Sequence, residues 1–121
     1  MARVFTLDEA RVVMPRVQAV TRPVFELASS MAEELQAAED REDEALVESL
    51  QTRLESLMES WADAVRELGP DVKGPWLVDF DSGDGYWCWA FPEEDLDHWH
   101  GYDGGFSTRI PAAHKPGAPQ R

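Results

Sequence analysis

The residue types most suited to chemistry are concentrated between Glu93 and Arg109. This stretch combines histidine imidazoles with several carboxylates, the ligand types that zinc, iron, manganese and nickel accept in proteins. From it we select Glu93, His100 and Asp103 as candidate ligands of a divalent transition metal. The spacing matches no complete metal motif, such as two histidines four residues apart around a glutamate. Hydrogen bonding of His100 to Asp103 or to a backbone carbonyl is therefore the competing interpretation.

The geometry of this candidate site depends on the backbone conformation of the stretch. If it is extended, His98 and His100 point to one face and are separated as two ligands of one ion would be. If it is helical, residues two apart diverge, and His100 would instead lie beside Asp97 or Glu93.

Arg109 and the tryptophans form a second candidate site. A guanidinium binds carboxylates and phosphates in a bidentate manner, but it also forms internal ion pairs, here with Asp103 or Glu93. Trp89 and Trp99 are candidate ligand-binding aromatics, and their alternative role is in the hydrophobic core. Cys88 lies between two tryptophans in a predicted strand, where a thiol usually packs as a small apolar group.

Two helices precede this region. Residues 6–9 read Thr-Leu-Asp-Glu, a capping box that predicts a helix starting at Leu7. Pro15 and Pro23 lack the backbone N–H that a helix needs, so we expect a short helix over residues 7–13 and a longer one from Pro15. Apolar residues then recur every three or four positions, first over 17–35 and again over 47–68.

These stripes predict a long antiparallel, coiled-coil-like helical hairpin over residues 6–69, ended by Gly69 and Pro70. Residues 71–110 form a Trp-rich β segment, in which runs at 76–80 and 86–91 flank a Gly-rich turn and predict a small β-hairpin. Residues 111–121 are rich in Pro and Ala and predict a mobile tail. The expected fold class is α+β, in a single domain over residues 1–121.

Composition limits the partners. The chain has 121 residues, a formal net charge of −13 and only 11 Lys and Arg residues, which argues against binding nucleic acid or an anionic membrane surface. Each helix carries more large apolar residues than one hairpin seam buries, so we expect a homodimer. The single cysteine and the N-terminal sequence, which does not resemble a signal peptide, predict a cytoplasmic protein.

Three blocks of the sequence resemble a known family. The blocks are Phe-Thr-Leu-Asp-Glu-Ala at 5–10, Leu-Val-Asp-Phe at 77–80, and Cys-Trp at 88–89 with Trp-His-x-x-Asp-x-Gly-Phe-x-x-Arg at 99–109. Over residues 5 to about 111 the chain resembles the bacterial family catalogued as domain of unknown function 2203. The resemblance implies a helical hairpin with a C-terminal β portion, and it implies no reaction. The positions that match the C-terminal signature are Cys88, Trp89, Glu93, Trp99, His100, Asp103, Gly105, Phe106 and Arg109.

His98 departs from this pattern, in which an aromatic residue such as Tyr is usual, so the resemblance supports no role for it. Two functions follow from the sequence. The first is an oligomeric binding module whose C-terminal β segment binds a partner or a small ligand. The alternative is a metal-binding protein or metal-dependent enzyme that uses Glu93, His100 and Asp103.

Overall fold

The N-terminal half of the chain is a pair of antiparallel helices. In the computed structural model, which describes residues 3–117, α1 spans Leu7–Asp40 and α2 spans Glu44–Glu67. The predicted capping box is present: the Thr6 hydroxyl accepts from the Glu9 amide at 3.1 Å, and Glu9 Oε1 accepts from the Thr6 amide at 2.8 Å. These bonds satisfy amides that the first turn of a helix leaves unpaired, so α1 begins where the sequence predicts.

The predicted break near Pro15 is wrong, because α1 runs through both prolines. Pro15 and Pro23 lie on the exposed side of the helix, whereas Met14 and Val17 beside them are buried. A proline leaves the carbonyl four residues earlier without its helical donor. On the exposed side that carbonyl is open to solvent, and the packing of the buried side keeps the helix continuous.

The C-terminal half is a five-stranded antiparallel sheet rather than the predicted two-stranded hairpin. Its strands are β1 (Asp71–Gly74), β2 (Leu77–Asp81), β3 (Gly85–Ala90), β4 (His98–Gly101) and β5 (Ile110–Pro111), in that spatial order. The predicted hairpin is the central pair, β2 and β3. The other three strands have two to four residues, too few to show the alternation by which a strand is recognised. The fold is α+β, as expected.

The inner face of the sheet packs against the helices and forms the core. In that core, the buried indole of Trp61 on α2 donates from Nε1 to Thr21 Oγ1 on α1 at 2.9 Å, and this hydroxyl donates to the Val17 carbonyl at 2.6 Å. This chain of bonds satisfies the polar atoms that are buried between the two helices. The sheet contributes its own large apolar side chains to the same core: Val78, Phe80, Trp87 and Trp89.

Alternate residues of the same strands point to the outer face, away from the helices. The register places Asp79 of β2 opposite Cys88 of β3, and Tyr86 of β3 opposite His100 of β4. The outer face of the central strands is therefore polar, although several of its side chains are buried.

Ordered structure extends beyond residue 110, where the sequence predicted the start of a tail. Pro111 pairs with His98, Ala112 is buried, and a short 3-10 helix spans Ala112–His114. The Ala112 amide donates to the Asp97 carbonyl at 2.7 Å, which ties this segment to the end of the sheet. Residues 118–121 of the predicted tail lie outside the described residues. Within residues 3–117, neither long helix has an apolar stretch sufficient to cross a bilayer.

Candidate metal centre

Three potential metal ligands meet on the outer face of the sheet. They are Asp79 on β2, Cys88 on β3 and His100 on β4, so each comes from a different one of three adjacent strands. A carboxylate oxygen, the thiol sulfur and an imidazole nitrogen all lie within 4.8 Å of one another. The residues are 1%, 0% and 4% exposed, respectively. The cluster is thus a buried group of oxygen, sulfur and nitrogen donors held by rigid backbone.

The hydrogen-bond partners of His100 indicate where its protons lie. Nδ1 is 2.9 Å from the carbonyl oxygen of Gly101, and a carbonyl only accepts, so we assign a proton to Nδ1. Nε2 is 2.9 Å from Asp79 Oδ2. Two acceptors at this distance repel unless a cation lies between them. Either a second proton joins Nε2 to Oδ2, or Nε2 and the carboxylate are both available to a metal ion.

The second oxygen of Asp79 accepts no hydrogen bond from a nitrogen or oxygen donor, and the donor beside this carboxylate is the weak thiol of Cys88. Among the described residues, Asp79 Oδ1 is one of two buried side-chain polar atoms without a hydrogen bond, and the other is Nδ1 of His98. A buried carboxylate oxygen without a donor costs about 1–3 kcal/mol or more, and such atoms are rare in folded proteins. Metal coordination is one of the few arrangements that satisfies a buried carboxylate.

The Cys88 thiol is not a nucleophile in this setting. Burial raises its pKa, the adjacent Asp79 carboxylate raises it further, and the nearby Arg109 guanidinium only partly opposes these effects. A thiol with a raised pKa stays protonated and unreactive. A bound metal ion would displace this proton, because metals bind the thiolate form.

An ion pair borders the cluster on the same face. Arg109 Nη1 donates to Glu93 Oε1 at 2.9 Å, and the same oxygen accepts from the Ala90 amide at 2.7 Å. Burial raises the pKa of the Glu93 carboxyl, but these two hydrogen bonds outweigh burial and hold the pKa below its ordinary value. Burial likewise lowers the pKa of Arg109, and the bond to Glu93 more than restores it. Both groups are therefore charged at neutral pH.

Comparison with known proteins places the chain in a family. Residues 3–112 match the family described as "Uncharacterized conserved protein (DUF2203)". The chain belongs to this family. No curated protein and no solved structure matches the chain. In this family member the clustered Asp79, Cys88 and His100 all lie within the sequence blocks that carry the resemblance.

The predicted metal ligands Glu93, His100 and Asp103 do not form one group. Only His100 belongs to the cluster, since Glu93 pairs with Arg109 and Asp103 is exposed in the connection between β4 and β5. The stretch around His98 and His100 is extended rather than helical, so the two imidazoles share a face, as the sequence predicted for an extended backbone. Their nearest acidic partners differ, however: Glu93 Oε2 lies 3.6 Å from Nδ1 of His98, and Asp79 lies beside His100.

The predicted ligand-binding residues Trp89, Trp99 and Arg109 are also separated. Trp89 is fully buried in the core and donates from Nε1 to the Glu93 carbonyl at 2.8 Å. Trp99 packs against the core from the inner face and donates from Nε1 to Ser82 Oγ at 3.0 Å. Arg109 lies on the outer face beside Cys88. The tryptophans stabilise the inner face, and Arg109 alone of the three lies near the cluster of Asp79, Cys88 and His100.

Sequence reasoning missed Asp79 as a candidate ligand and assigned Cys88 to apolar packing. A signal for Asp79 exists: it is a carboxylate between Val78 and Phe80 in a strand whose apolar residues face the core. Strict alternation places it on the face opposite to those two residues, together with Cys88 of the paired strand. The third ligand follows only once β4 is known to pair with β3.

Proposed function

We propose that the protein binds one transition-metal ion through Asp79, Cys88 and His100. The observation that carries this proposal is the buried Oδ1 of Asp79, which accepts from no N–H or O–H donor and has only the weak Cys88 thiol beside its carboxylate. A purely structural cluster would be expected to supply a donor to that oxygen. A metal ion satisfies Asp79, the lone pair of His100 and the thiolate of Cys88 together.

The donor set indicates the class of metal. One sulfur, one nitrogen and one oxygen suit borderline ions such as Zn²⁺, Co²⁺, Fe²⁺ and Ni²⁺, whereas Mg²⁺ and Ca²⁺ prefer oxygen ligands alone. A divalent ion also neutralises the two anionic ligands, carboxylate and thiolate, which a buried site requires. Three protein ligands leave a tetrahedral ion one open position, the feature that separates catalytic zinc sites from structural ones.

The test is metal content combined with cobalt spectroscopy. Protein purified without an affinity tag or chelator should contain close to one transition metal per chain by inductively coupled plasma mass spectrometry. Metal-free protein titrated with Co²⁺ should develop thiolate-to-cobalt charge transfer in the near ultraviolet, because one ligand is sulfur. Cys88→Ala should abolish that absorption, and His100→Gln should weaken Co²⁺ binding by at least about tenfold.

Two variants serve as matched controls. Asp103→Asn removes an exposed carboxylate close in sequence to His100, and His114→Gln removes an exposed imidazole in the 3-10 helix. Both should bind Co²⁺ as the unmodified chain does. Folded protein that binds no transition metal would refute the proposal. Loss of binding in Asp103→Asn would instead favour the ligand set predicted from sequence.

We retain the homodimer as a second proposal, and α1 and α2 support it. Beyond the sheet the helices bury only their shared seam, around Met31 and Leu50. Leu27 is 52% exposed, while Leu35 and Leu54 are half-buried. A second helical hairpin would cover these side chains in a four-helix bundle. Multi-angle light scattering at micromolar concentration should give twice the mass of one chain, and the mass of a single chain would refute the dimer.

A further inference from the structure

Arg109 lies next to the proposed metal centre. It lies on the outer face beside the Cys88 side chain, and its own side chain is only 13% exposed. The Phe106 ring covers one face of its guanidinium, with 4.1 Å between the guanidinium carbon and the ring centroid. The group is therefore held in a fixed orientation and is mostly shielded from water.

This guanidinium has more N–H donors than the partners beside it, Glu93 and Cys88, can use. A guanidinium carries five N–H donors in a planar fork. Within residues 3–117, the guanidinium of Arg109 donates from Nη1 to Glu93 Oε1 and also interacts with the neighbouring Cys88 thiol. A partly buried arginine with free donors beside a metal ion is suited to bind a planar, negatively charged group.

Charge favours a small monoanion over a dianion. The proposed metal with its two anionic ligands is neutral, and Arg109 with Glu93 is neutral as well. Lys73 also lies on this face, but its ammonium already contacts the Tyr86 hydroxyl and the Asp71 carboxylate, and the net charge of the chain is −13. A phosphate dianion would therefore meet too little positive charge, whereas a carboxylate adds one negative charge and matches the guanidinium fork.

We propose that the open position of the metal binds a small carboxylate, one oxygen of which coordinates the metal while Arg109 donates a hydrogen bond to the other. This inference rests on the proposed metal site. It assigns to Arg109 the recognition of the substrate or ligand class, and to Asp79, Cys88 and His100 the binding of the metal.

The experiment is a titration of the Co²⁺-loaded full-length protein with acetate, followed by the visible absorption of cobalt. Acetate should change the cobalt spectrum in a saturable manner, because it replaces water at the open position. Phosphate and chloride are titrated in parallel and should bind more weakly. Arg109→Gln should raise the dissociation constant for acetate by about tenfold or more, since it removes a charge-assisted hydrogen bond.

Two further variants separate recognition from folding. Glu93→Gln leaves the guanidinium in place and frees Nη1 from its ionic partner, so acetate should bind at least as tightly as to the unmodified protein. Arg11→Gln removes a different ion pair, that with Asp97 at 2.7 Å, and should leave acetate binding unchanged. Circular dichroism of each variant reports the fold independently of the ligand.

Each outcome decides between the proposals. A cobalt spectrum that does not respond to acetate overturns the carboxylate inference and leaves the metal site intact. A response to phosphate alone, or acetate binding unaffected by Arg109→Gln, also overturns the inference. Failure of folded protein to bind Co²⁺ overturns the metal site and, with it, the carboxylate inference.

Discussion

Asp79→Asn distinguishes a metal ligand from a structural ion pair by the sign of its effect. The variant keeps the shape of the side chain, removes its charge and supplies two N–H donors. In metal-free protein the new amide can donate to Nε2 of His100, which lies 2.9 Å from Asp79 Oδ2. It also removes the buried negative charge whose Oδ1 has no partner. We therefore expect the metal-free variant to be at least as stable as the unmodified chain, with a gain of up to about 1–3 kcal/mol.

The opposite sign is expected once metal is added. An ion that binds only the folded state at about one hundred times its dissociation constant stabilises that state by about 2.7 kcal/mol. For a domain of this size that amounts to a rise in Tm of roughly 10 °C. The unmodified chain should show this rise with Zn²⁺ or Co²⁺. Asp79→Asn should show little or none, because a neutral amide is a poor ligand for these ions.

Differential scanning calorimetry with and without metal measures both effects in one experiment. If Asp79 instead forms a structural ion pair with a protonated His100, the substitution removes that ion pair, and the imidazole either stays charged without a counter-ion or loses its proton. Removing one partner of a buried pair costs up to about 3–5 kcal/mol, so the Tm of metal-free protein should fall. Such a fall, with no metal response in the unmodified chain, would refute the metal site.

Three other predictions concern groups around the core and the site. Thr21→Val should lower the free energy of unfolding by about 1–3 kcal/mol in urea titrations, because Trp61 Nε1 loses its acceptor. Thr21→Ser keeps the hydroxyl and should lower the free energy of unfolding by less. Equal losses in the two variants would show that this hydrogen bond does not contribute to stability. Because burial raises its pKa, Cys88 should resist iodoacetamide at pH 8 in folded metal-free protein and react in denaturant; rapid labelling of the folded state would contradict this. The pKa of Glu93 is below its unfolded value of 4.5, so its contribution to stability is complete above that pH and is lost as the pH falls through the lower, folded value. Glu93→Gln should therefore flatten the loss of stability as the pH falls below about 4.5, and an unchanged loss of stability in acid would show that the Arg109 pair contributes nothing.

The helices were the most predictable part of the fold. Their apolar stripes repeat over many turns, and the capping box at Thr6 marks the first residue of α1. The prolines misled the prediction because their effect depends on where they face. At Pro15 and Pro23 the lost hydrogen bonds lie on the exposed side, a property that only the packing of the two helices determines.

The sheet was less predictable because its stability is not local. β2 and β3 alternate clearly and flank a glycine turn, so they were found from the sequence. β4 reads His-Trp-His-Gly and β5 only Ile-Pro, and neither run indicates a strand by itself. These residues adopt strand geometry because β3 offers a free edge, which β4 and then β5 extend. The candidate site could not be predicted for the same reason, since His100 joins Asp79 and Cys88 only through the pairing of β3 with β4.

The location of the cluster is itself an argument for function. The middle of a sheet face is a costly place for a carboxylate, because every backbone donor there is already used in pairing with a neighbouring strand. Asp79 Oδ1 accepts from no backbone amide for that reason, and apolar residues at positions 79, 88 and 100 would give a simpler sheet. In exchange, adjacent strands fix the three donors rigidly, which a metal site requires and a surface loop does not provide. A local loss of stability in a position of high rigidity is typical of a binding site, and the Asp79→Asn experiment measures that loss directly.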